Sequence, residues 1–222
     1  MELKKNIKIE CPSCKSESDF EVYENINTKI YPDLKDQIKS GDLFLFTCPK
    51  CQAETIVDYG LIYQDPEEKI LIQYCKNDEE KNAALGLFKK ENMDDVDKAK
   101  EIIGILDSYD KRLVESLDSL IEKINIFDRG LDDRIVELIK IFALDFFSKD
   151  QPGETLKNIF YTDEDGKGLI IFETQDDFFA LDMDENLYNF LKAKLRELDL
   201  DEAYIIDNKW AKEVFDKLVK LG

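Results

Sequence analysis

The sequence predicts an α+β protein in which an N-terminal antiparallel β module precedes a helical segment and a C-terminal antiparallel sheet with helices. Three observations predict this class. Short runs of alternating apolar residues with turn signals between them fill residues 6–75. Apolar side chains at helical spacing dominate residues 94–148, and alternation returns in the last third of the chain. We therefore expect the β module at residues 1–78, a linker at 79–93 and an α+β domain at 94–222.

The N-terminal module contains strand and turn signals in a regular order. Strands are predicted in "NIKIE", "DFEVYENIN", "DLFLFTC", "ETIVDYGLIY" and "KILIQYC". Pro32 suits the first turn of a short helix, and Gly41 suits the left-handed position that ends it. The turn signal at Asp65 and Pro66 predicts that the last two strands form a hairpin.

The second half combines helices with a small sheet. Leu113, Leu117 and Leu120 share one face of a predicted helix, and Gly130 separates that helix from a central, buried helix in "RIVELIKIFALDFF". Three antiparallel strands are predicted in "NIFYT", "GLIIFET" and "DFFALDM", then a helix in "NLYNFLKAKLREL", a short strand in "EAYIID" and a last helix. Asp207 is the expected N-cap of that last helix.

The composition limits the function classes. The 222-residue chain has 50 acidic and 31 basic residues, which gives a net charge of −19. Such a charge repels phosphate backbones, and no basic stripe with interleaved aromatic residues is present, so the sequence argues against nucleic-acid binding. The chain contains no histidine, which excludes Ser-His-Asp, Cys-His and histidine-based zinc catalysis.

The sequence predicts a cytoplasmic protein that does not enter a membrane. No stretch approaches the roughly 18 apolar residues of a membrane-spanning helix. The N-terminal "MELKKNIKIECPSC" lacks the apolar core of a signal peptide. In a reducing compartment, paired cysteines more often bind metal or do redox work than form structural disulfides.

Four of the five cysteines occur in two copies of one tetrapeptide pattern, "CPSC" and "CPKC". Zinc takes four tetrahedral ligands, and a C-x-x-C turn supplies two thiolates, so Cys11, Cys14, Cys48 and Cys51 form a complete set. The long separation between the two pairs is tolerable because each doubling of loop length costs only about 0.6 kcal/mol. The pattern therefore predicts a zinc-ribbon-like module around one metal ion.

The predicted site is structural rather than catalytic, because four thiolates leave no open position on zinc. Iron also accepts four tetrahedral thiolates, so the spacing leaves both metals open. The thiolates and a divalent metal together carry about −2 of charge, and we expect backbone N–H groups to face the sulfurs.

A redox function is the main alternative. A CPxC sequence also occurs in thiol–disulfide oxidoreductases, which place the first cysteine at a helix N-terminus that lowers its pKa. The segments after the two motifs, "KSESDFEV" and "QAETIVDY", predict turns into strands. The fifth cysteine, Cys75, lies in an apolar strand and is expected to be a small buried hydrophobic residue.

The doubled motif resembles the CpXC domain family. The resemblance extends to "NINTKIYPDLKDQIKSGDLFLFTCPKC", "GLIYQDPEEKILI" and "LVESLDSLIEKINIFDRGLDDRIVELIK", and so covers residues 6 to 145. It implies metal binding through the four cysteines and no established activity. Zinc ribbons often have glycine after the second cysteine of a knuckle, whereas Lys15 and Gln52 occupy those positions here, which predicts a strained backbone at both.

Acidic clusters offer other candidate sites. In "TDEDGKGLIIFE" the register of calcium ligands fails, and a hairpin turn is expected instead. Five acids lie around the helix break: Glu122, Asp128, Asp132, Asp133 and Glu137. Paired carboxylates can serve a hydrolase or bind magnesium, but a cluster in so acidic a chain is also expected from helix-terminal charges on a solvated face.

The sequence as a whole favours a non-enzymatic binding or adaptor protein with a structural four-cysteine zinc site. Its partner is expected to be another protein or a second copy of the chain. A thiol–disulfide oxidoreductase that uses one CPxC pair is the alternative function.

Overall fold

The computed structural model describes residues 4–89, 104 and 107–221. It divides into two compact units, Met1–Ile121 and Glu122–Gly222. Both helices and antiparallel strand pairs are present, which confirms the α+β class. Among the described residues, no helix is both long enough and apolar enough to cross a membrane.

The described residues of the first unit form strands and helices in a fixed order along the chain. They are β1 (Lys4–Glu10), β2 (Glu17–Tyr23), β3 (Asn25–Asn27), α1 (Pro32–Ser40), β4 (Leu45–Thr47), β5 (Glu54–Ile56), β6 (Leu61–Asp65), β7 (Ile70–Tyr74), α2 (Asp78–Phe88) and β8 (Asp110–Val114). Strands β1 and β2 form one antiparallel hairpin, and β4 and β5 form another. The turns of these two hairpins contain four of the five cysteines.

Helix α1 connects the two hairpins and matches its predicted limits. Pro32 lies in its first turn, where the missing backbone N–H costs nothing. Gly41 ends the helix with φ of 82°, and its N–H donates to the carbonyl of Ile38. Leu34 and Ile38 are buried, so the helix packs through one apolar face.

The remaining strands form a mixed sheet in the order β3-β6-β7-β8. Strands β6 and β7 form the predicted antiparallel hairpin. The predicted strand "ETIVDYGLIY" is divided, however, because Glu54–Ile56 form β5 and only its last three residues belong to β6. In its turn, Asp65 Oδ1 accepts the N–H groups of Glu67 and Glu68 at 3.1 and 3.3 Å, and Lys35 Nζ lies 3.0 Å from Asp65 Oδ2. Burial raises the pKa of Asp65, but these partners outweigh it and hold the pKa below its usual value.

Two further parts of the first unit differ from the sequence-based expectation. Residues 110–114, predicted as helix, form β8, which pairs in parallel with β7. Helix α2 occupies most of the segment predicted as a linker, and Asn77 caps it by accepting the N–H of Glu80. Residues 90–103, 105 and 106 belong to the predicted linker and helical segment and lie outside the described residues. The domain boundaries predicted from the sequence stay predictions.

The second unit packs helices against a three-stranded antiparallel sheet. Its elements are α4 (Asp133–Asp150), β9 (Leu156–Glu164), β10 (Lys167–Thr174), β11 (Phe178–Asp182), α5 (Glu185–Arg196) and α6 (Asn208–Leu221), while α3 (Leu117–Asp128) runs across the division. The sheet order β11-β10-β9 confirms the three predicted strands. Helix α4 is buried along much of its length, as expected, and forms the centre of the core.

The ends of these elements follow the predicted local signals with one exception. Asp207 Oδ1 accepts the N–H of Trp210 at 2.8 Å, which confirms the N-cap of α6. Asp165 and Gly166 have φ of 51° and 85° in the hairpin between β9 and β10, as a two-residue turn with left-handed residues requires. The prediction of a strand in residues 202–207 is wrong, because no strand there pairs with a neighbour.

Candidate metal centre

Each CPxC sequence forms the turn of one hairpin. In the first turn, the N–H of Cys11 donates to the carbonyl of Ser16 at 2.9 Å, and the N–H of Lys15 donates to the carbonyl of Cys11 at 3.0 Å. We call each such turn, Cys11–Ser16 and Cys48–Ala53, a knuckle. The two backbone bonds close the turn, so both cysteine side chains project on one side of it.

The second knuckle repeats the first. The N–H of Cys48 donates to the carbonyl of Ala53 at 2.9 Å, and the N–H of Gln52 donates to the carbonyl of Cys48 at 2.9 Å. The strand registers also match, because Glu10 pairs with Glu17 and Thr47 pairs with Glu54 just beyond the knuckles. The doubled tetrapeptide therefore folds into two equivalent halves of one site.

The backbone after each second cysteine is left-handed. Lys15 has φ of 59° and Gln52 has φ of 60°, a region that side chains with a Cβ adopt at a cost of about 1 kcal/mol or more. This agrees with the strain predicted from the missing glycines. The protein accepts it because the left-handed residue lets the chain return into the second strand of the hairpin.

The four sulfurs lie in one cluster. All the Sγ atoms of Cys11, Cys14, Cys48 and Cys51 are within 4.8 Å of one another, which is a group that could hold a metal ion. The Sγ atoms of Cys11 and Cys51 are 3.6 Å apart, and those of Cys14 and Cys48 are 3.7 Å apart. A tetrahedron with metal–sulfur bonds of about 2.3 Å has edges of about 3.8 Å, so these pairs fit a shared metal.

The same distances exclude a disulfide arrangement. A sulfur–sulfur bond measures about 2.05 Å, and all five cysteines are free thiols. The two short distances join a cysteine of one knuckle to a cysteine of the other. The cluster therefore links the two hairpins, and neither CPxC pair is closed on itself.

Apolar side chains surround the inner side of the cluster. Cys11 and Cys48 are fully buried and pack with Phe46. The rings of Phe20 and Phe46 meet edge to face at 6.1 Å, which adds a specific contact between the two hairpins. Cys51 is exposed, so the cluster has a buried inner side and a solvent-facing outer side.

Hydrogen bonds stabilise negative charge on two of the sulfurs. A hydrogen bond from the Ser16 hydroxyl and backbone N–H groups of Cys51 and Lys50 lower the pKa of Cys48 to about 6. The hydroxyl and the backbone N–H of Ser16 lower the pKa of Cys14. Backbone donors thus face the sulfurs, as predicted for a thiolate site.

The pKa of Cys51 shifts in the opposite direction. The backbone N–H of Ala53 lowers its pKa, but hydrogen bonds with the other thiols and partial loss of solvation at the sulfur together raise it to about 12. Four crowded thiols cannot all lose their protons without a cation to balance them. The donor set thus has the chemistry of a site that a divalent, thiophilic metal completes.

Ser16 is the one member of the centre that sequence reasoning missed. Its Oγ atom lies 3.0 Å from Cys14 Sγ and 3.4 Å from Cys48 Sγ. An alignment of the two copies, "CPSCKS" and "CPKCQA", contains the signal, since it places Ser16 opposite Ala53. The pattern of cysteines alone could not show that the hydroxyl reaches across to the other knuckle.

Cys75 lies outside the four-cysteine cluster. It is 1% exposed, and its N–H donates to the carbonyl of Val114 at 2.9 Å. Burial, with the negative charges of Glu80 and Glu115, raises its pKa to about 11. These observations agree with the expected role as a small buried hydrophobic residue.

Three of the five acids around the helix break come together in the core of the second unit. Lys123 Nζ lies 3.2 Å from Asp133 and 3.0 Å from Glu137, while Lys140 Nζ lies 2.8 Å from Glu122 and 2.9 Å from Glu137. All five side chains are buried. We call this group the buried charge cluster. Its lysines supply ion pairs to all three carboxylates, which gives these acids a role in packing.

The charge cluster also fixes the edge of the sheet. Glu122 Oε1 accepts the backbone N–H of Tyr161 at 2.7 Å, which satisfies a buried donor on β9. Burial lowers the pKa of Lys140, but Glu122 and Glu137 outweigh it and raise the pKa above its usual value. The lysine therefore stays charged inside the core.

The other two acids of the helix break lie apart from the cluster. Asp128 is exposed. Asp132 caps α4 by accepting the N–H of Arg134 at 3.0 Å, and its carboxylate also pairs with the Arg134 guanidinium at 2.7 Å. The five acids therefore do not form one site.

Two equivalent knuckles that bring four free thiols together define a ribbon-type protein with a four-cysteine centre. The chain matches the model of the family described as CpXC protein over residues 9–140, more than half of its length. The protein belongs to the CpXC family. The chain matches no curated protein and no solved structure.

Proposed function

We propose that the protein is a non-enzymatic binding or adaptor protein whose N-terminal module is held together by one zinc ion. Cys11, Cys14, Cys48 and Cys51 would hold the ion. The observation that carries the proposal is the cluster of four sulfurs, with cross-knuckle distances of 3.6 and 3.7 Å. Those distances fit tetrahedral coordination by thiolates.

The small size of the hairpins supports a structural role for the metal. Strands β4 and β5 have three residues each, and each hairpin forms its own two-stranded sheet. Isolated two-stranded hairpins are marginally stable in water. When bound, the ion would supply four metal–sulfur bonds that join the two hairpins, so metal binding would provide much of the folding free energy of this module.

The closed ligand set supports a role other than catalysis. Four protein sulfurs leave zinc without an open position for water or substrate. The net charge of −19 favours a partner with a basic surface over nucleic acid. Another protein, or a second copy of the chain, is the proposed partner, and the cytoplasm, where thiols stay reduced, is the proposed location.

The test is metal analysis of the full chain without an affinity tag. We expect about one zinc per chain in the wild type and in Cys75→Ser, which lies outside the cluster. Cys48→Ser should lose the metal and the ordered structure of the two hairpins. A wild-type chain with no bound metal, or a red protein that contains iron, would contradict the proposal of zinc.

A thiol–disulfide oxidoreductase is the second candidate function. The observation in its favour is the Ser16 hydroxyl, which lies 3.4 Å from Cys48 Sγ and, with backbone N–H groups of Cys51 and Lys50, lowers the pKa of Cys48. Strands β2 and β5, rather than helices, follow the two CPxC turns, and Cys48 is fully buried. Reduction of a disulfide substrate by metal-free, folded protein, lost in Cys48→Ser, would favour this function over the structural one.

A further inference from the structure

The two knuckles are equivalent in backbone but differ in one side chain near the sulfurs. Ser16 ends the first knuckle and Ala53 ends the second, and each accepts a hydrogen bond from the first cysteine through its carbonyl. Both residues are partly buried beside the cluster. The first half of the site therefore contains a hydroxyl that the second half lacks.

The Ser16 hydroxyl lies between sulfurs of different knuckles. It is 3.0 Å from Cys14 Sγ in its own knuckle and 3.4 Å from Cys48 Sγ in the other. Cys14 and Cys48 are also one of the two close cross-knuckle pairs, at 3.7 Å. The hydroxyl can thus donate a hydrogen bond to either of two sulfurs that would share the metal.

We propose that Ser16 is a positioning residue of the metal centre, and that its hydroxyl donates a hydrogen bond to the Cys14 or Cys48 thiolate and thereby strengthens metal retention. This inference rests on the proposed function. A metal with four thiolates keeps about −2 of charge, and a hydrogen bond to a charged sulfur disperses part of it. The bond also holds the sulfur that accepts it in the orientation that coordination needs.

The contribution of the hydroxyl can be separated from that of the backbone. The carbonyl of Ser16 accepts the N–H of Cys11, and the backbone N–H of Ser16 faces Cys14. Both groups remain in Ser16→Ala. This variant therefore removes the hydroxyl and leaves the turn of the knuckle intact.

The knuckle equivalence provides a matched gain-of-function variant. It relates Cys14 to Cys51 and Cys48 to Cys11, which form the other close pair at 3.6 Å. A hydroxyl introduced by Ala53→Ser would lie near Cys51 and Cys11. If hydrogen bonding to the thiolates is the cause, the double variant Ser16→Ala with Ala53→Ser should recover much of the lost affinity.

The experiment measures zinc affinity by competition with a chromophoric chelator, using the full-length wild type, Ser16→Ala, Ser16→Thr and the double variant. Removing an outer hydrogen-bond partner of a metal ligand typically weakens metal binding by about 10- to 100-fold, and we expect a loss of about 10-fold in Ser16→Ala. Ser16→Thr, which keeps a hydroxyl, should stay within about 3-fold of the wild type on the same scale.

Cobalt(II) replacement gives a readout that a purely structural role would not change. Loss of a hydrogen bond makes a thiolate a better electron donor, so the sulfur-to-cobalt charge-transfer band of Ser16→Ala should move to lower energy. Equal affinities and identical bands in the wild type and Ser16→Ala would overturn the inference while the metal site stands. A wild-type chain that binds neither zinc nor cobalt would overturn both this inference and the proposed function.

Discussion

Lys15 and Gln52 occupy the same position in the two knuckles, and their backbones have nearly the same left-handed geometry, with φ of 59° and 60°. Both residues directly follow the second cysteine of a CPxC motif. The match indicates that the turn geometry is required by the site, since two different side chains accept the same unfavourable conformation.

Replacing either residue by glycine should stabilise the metal-loaded protein. Relief of the left-handed strain exceeds the extra chain entropy of glycine, so we expect a gain of about 0.5 to 1 kcal/mol for Lys15→Gly or Gln52→Gly. Denaturant unfolding of the zinc-loaded protein measures the change. Lys8→Gly, in the extended strand β1, is the control and should lower stability. A loss of stability in all three variants would show that the strain is not significant.

Removing the metal should unfold the two hairpins and leave the second unit folded. The hairpins have few strands of their own, whereas the second unit has a large apolar core that contains no cysteine. Hydrogen exchange before and after chelation should show lost protection in β1, β2, β4 and β5, with protection kept in β10. Added zinc should restore it. Equal loss of protection in both units would contradict this prediction.

The thiol of Cys75 should make stability fall at alkaline pH. Its folded pKa of about 11 exceeds the ordinary value of 9.0, so the unfolded chain loses this proton first as the pH rises. The contribution of the neutral thiol is complete below about pH 9 and is lost as the pH approaches 11. Between pH 8 and pH 10 the wild type should lose about 1 kcal/mol more than Cys75→Ala.

Denaturant unfolding of both zinc-loaded proteins at the two pH values measures that difference. All other groups are the same in the two proteins, so their contributions cancel in the comparison. The same pH dependence in the wild type and Cys75→Ala would mean that the thiol is not shielded in the folded state.

Removing one lysine of the buried charge cluster should strongly lower the free energy of unfolding. Lys140→Met leaves Glu122 and Glu137 without one of their buried cations, and such a loss typically costs about 3 to 5 kcal/mol. The matched control is Lys149→Met on the same helix, where the ion pair with Asp145 is exposed on both sides. The control should change stability by less than about 1 kcal/mol. Similar losses of stability in the two variants would show that the buried ion pairs stabilise the protein no more than an exposed pair does.

Local signals made the N-terminal hairpins and the four-cysteine cluster predictable from the sequence. The CPxC motifs, the cap at Gly41 and the turn at Asp65 each act within a few residues, and each formed as expected. Strand β8 was not predictable in this way, because its partner β7 is distant in the sequence and Leu113 also fits a helical pattern. Its identity as a strand depends on that pairing.

Two features could not be predicted correctly for related reasons. One is the strand expected in "EAYIID", and the other is the contact of the Ser16 hydroxyl with the sulfurs. Tyr204 and Ile206 are buried, as alternating apolar residues should be, but no strand in the described part of the chain pairs with them. The cysteine pattern alone does not indicate a role for Ser16, because its contact with Cys48 depends on the folded structure. In both places, a neighbour that is remote along the chain decides the outcome.

The parallel pairing of β8 with β7 has a consequence for the order in which the protein forms during synthesis. All four clustered cysteines precede Gln52, so the metal centre is complete in sequence long before Asp110–Val114 leaves the ribosome. Until then, β7 has an open edge, and the sheet has three of its four strands. Because domains form from the N-terminus as they are made, the knuckles can capture metal first. A nascent chain halted before residue 110 should therefore hold a finished metal centre beside an incomplete sheet.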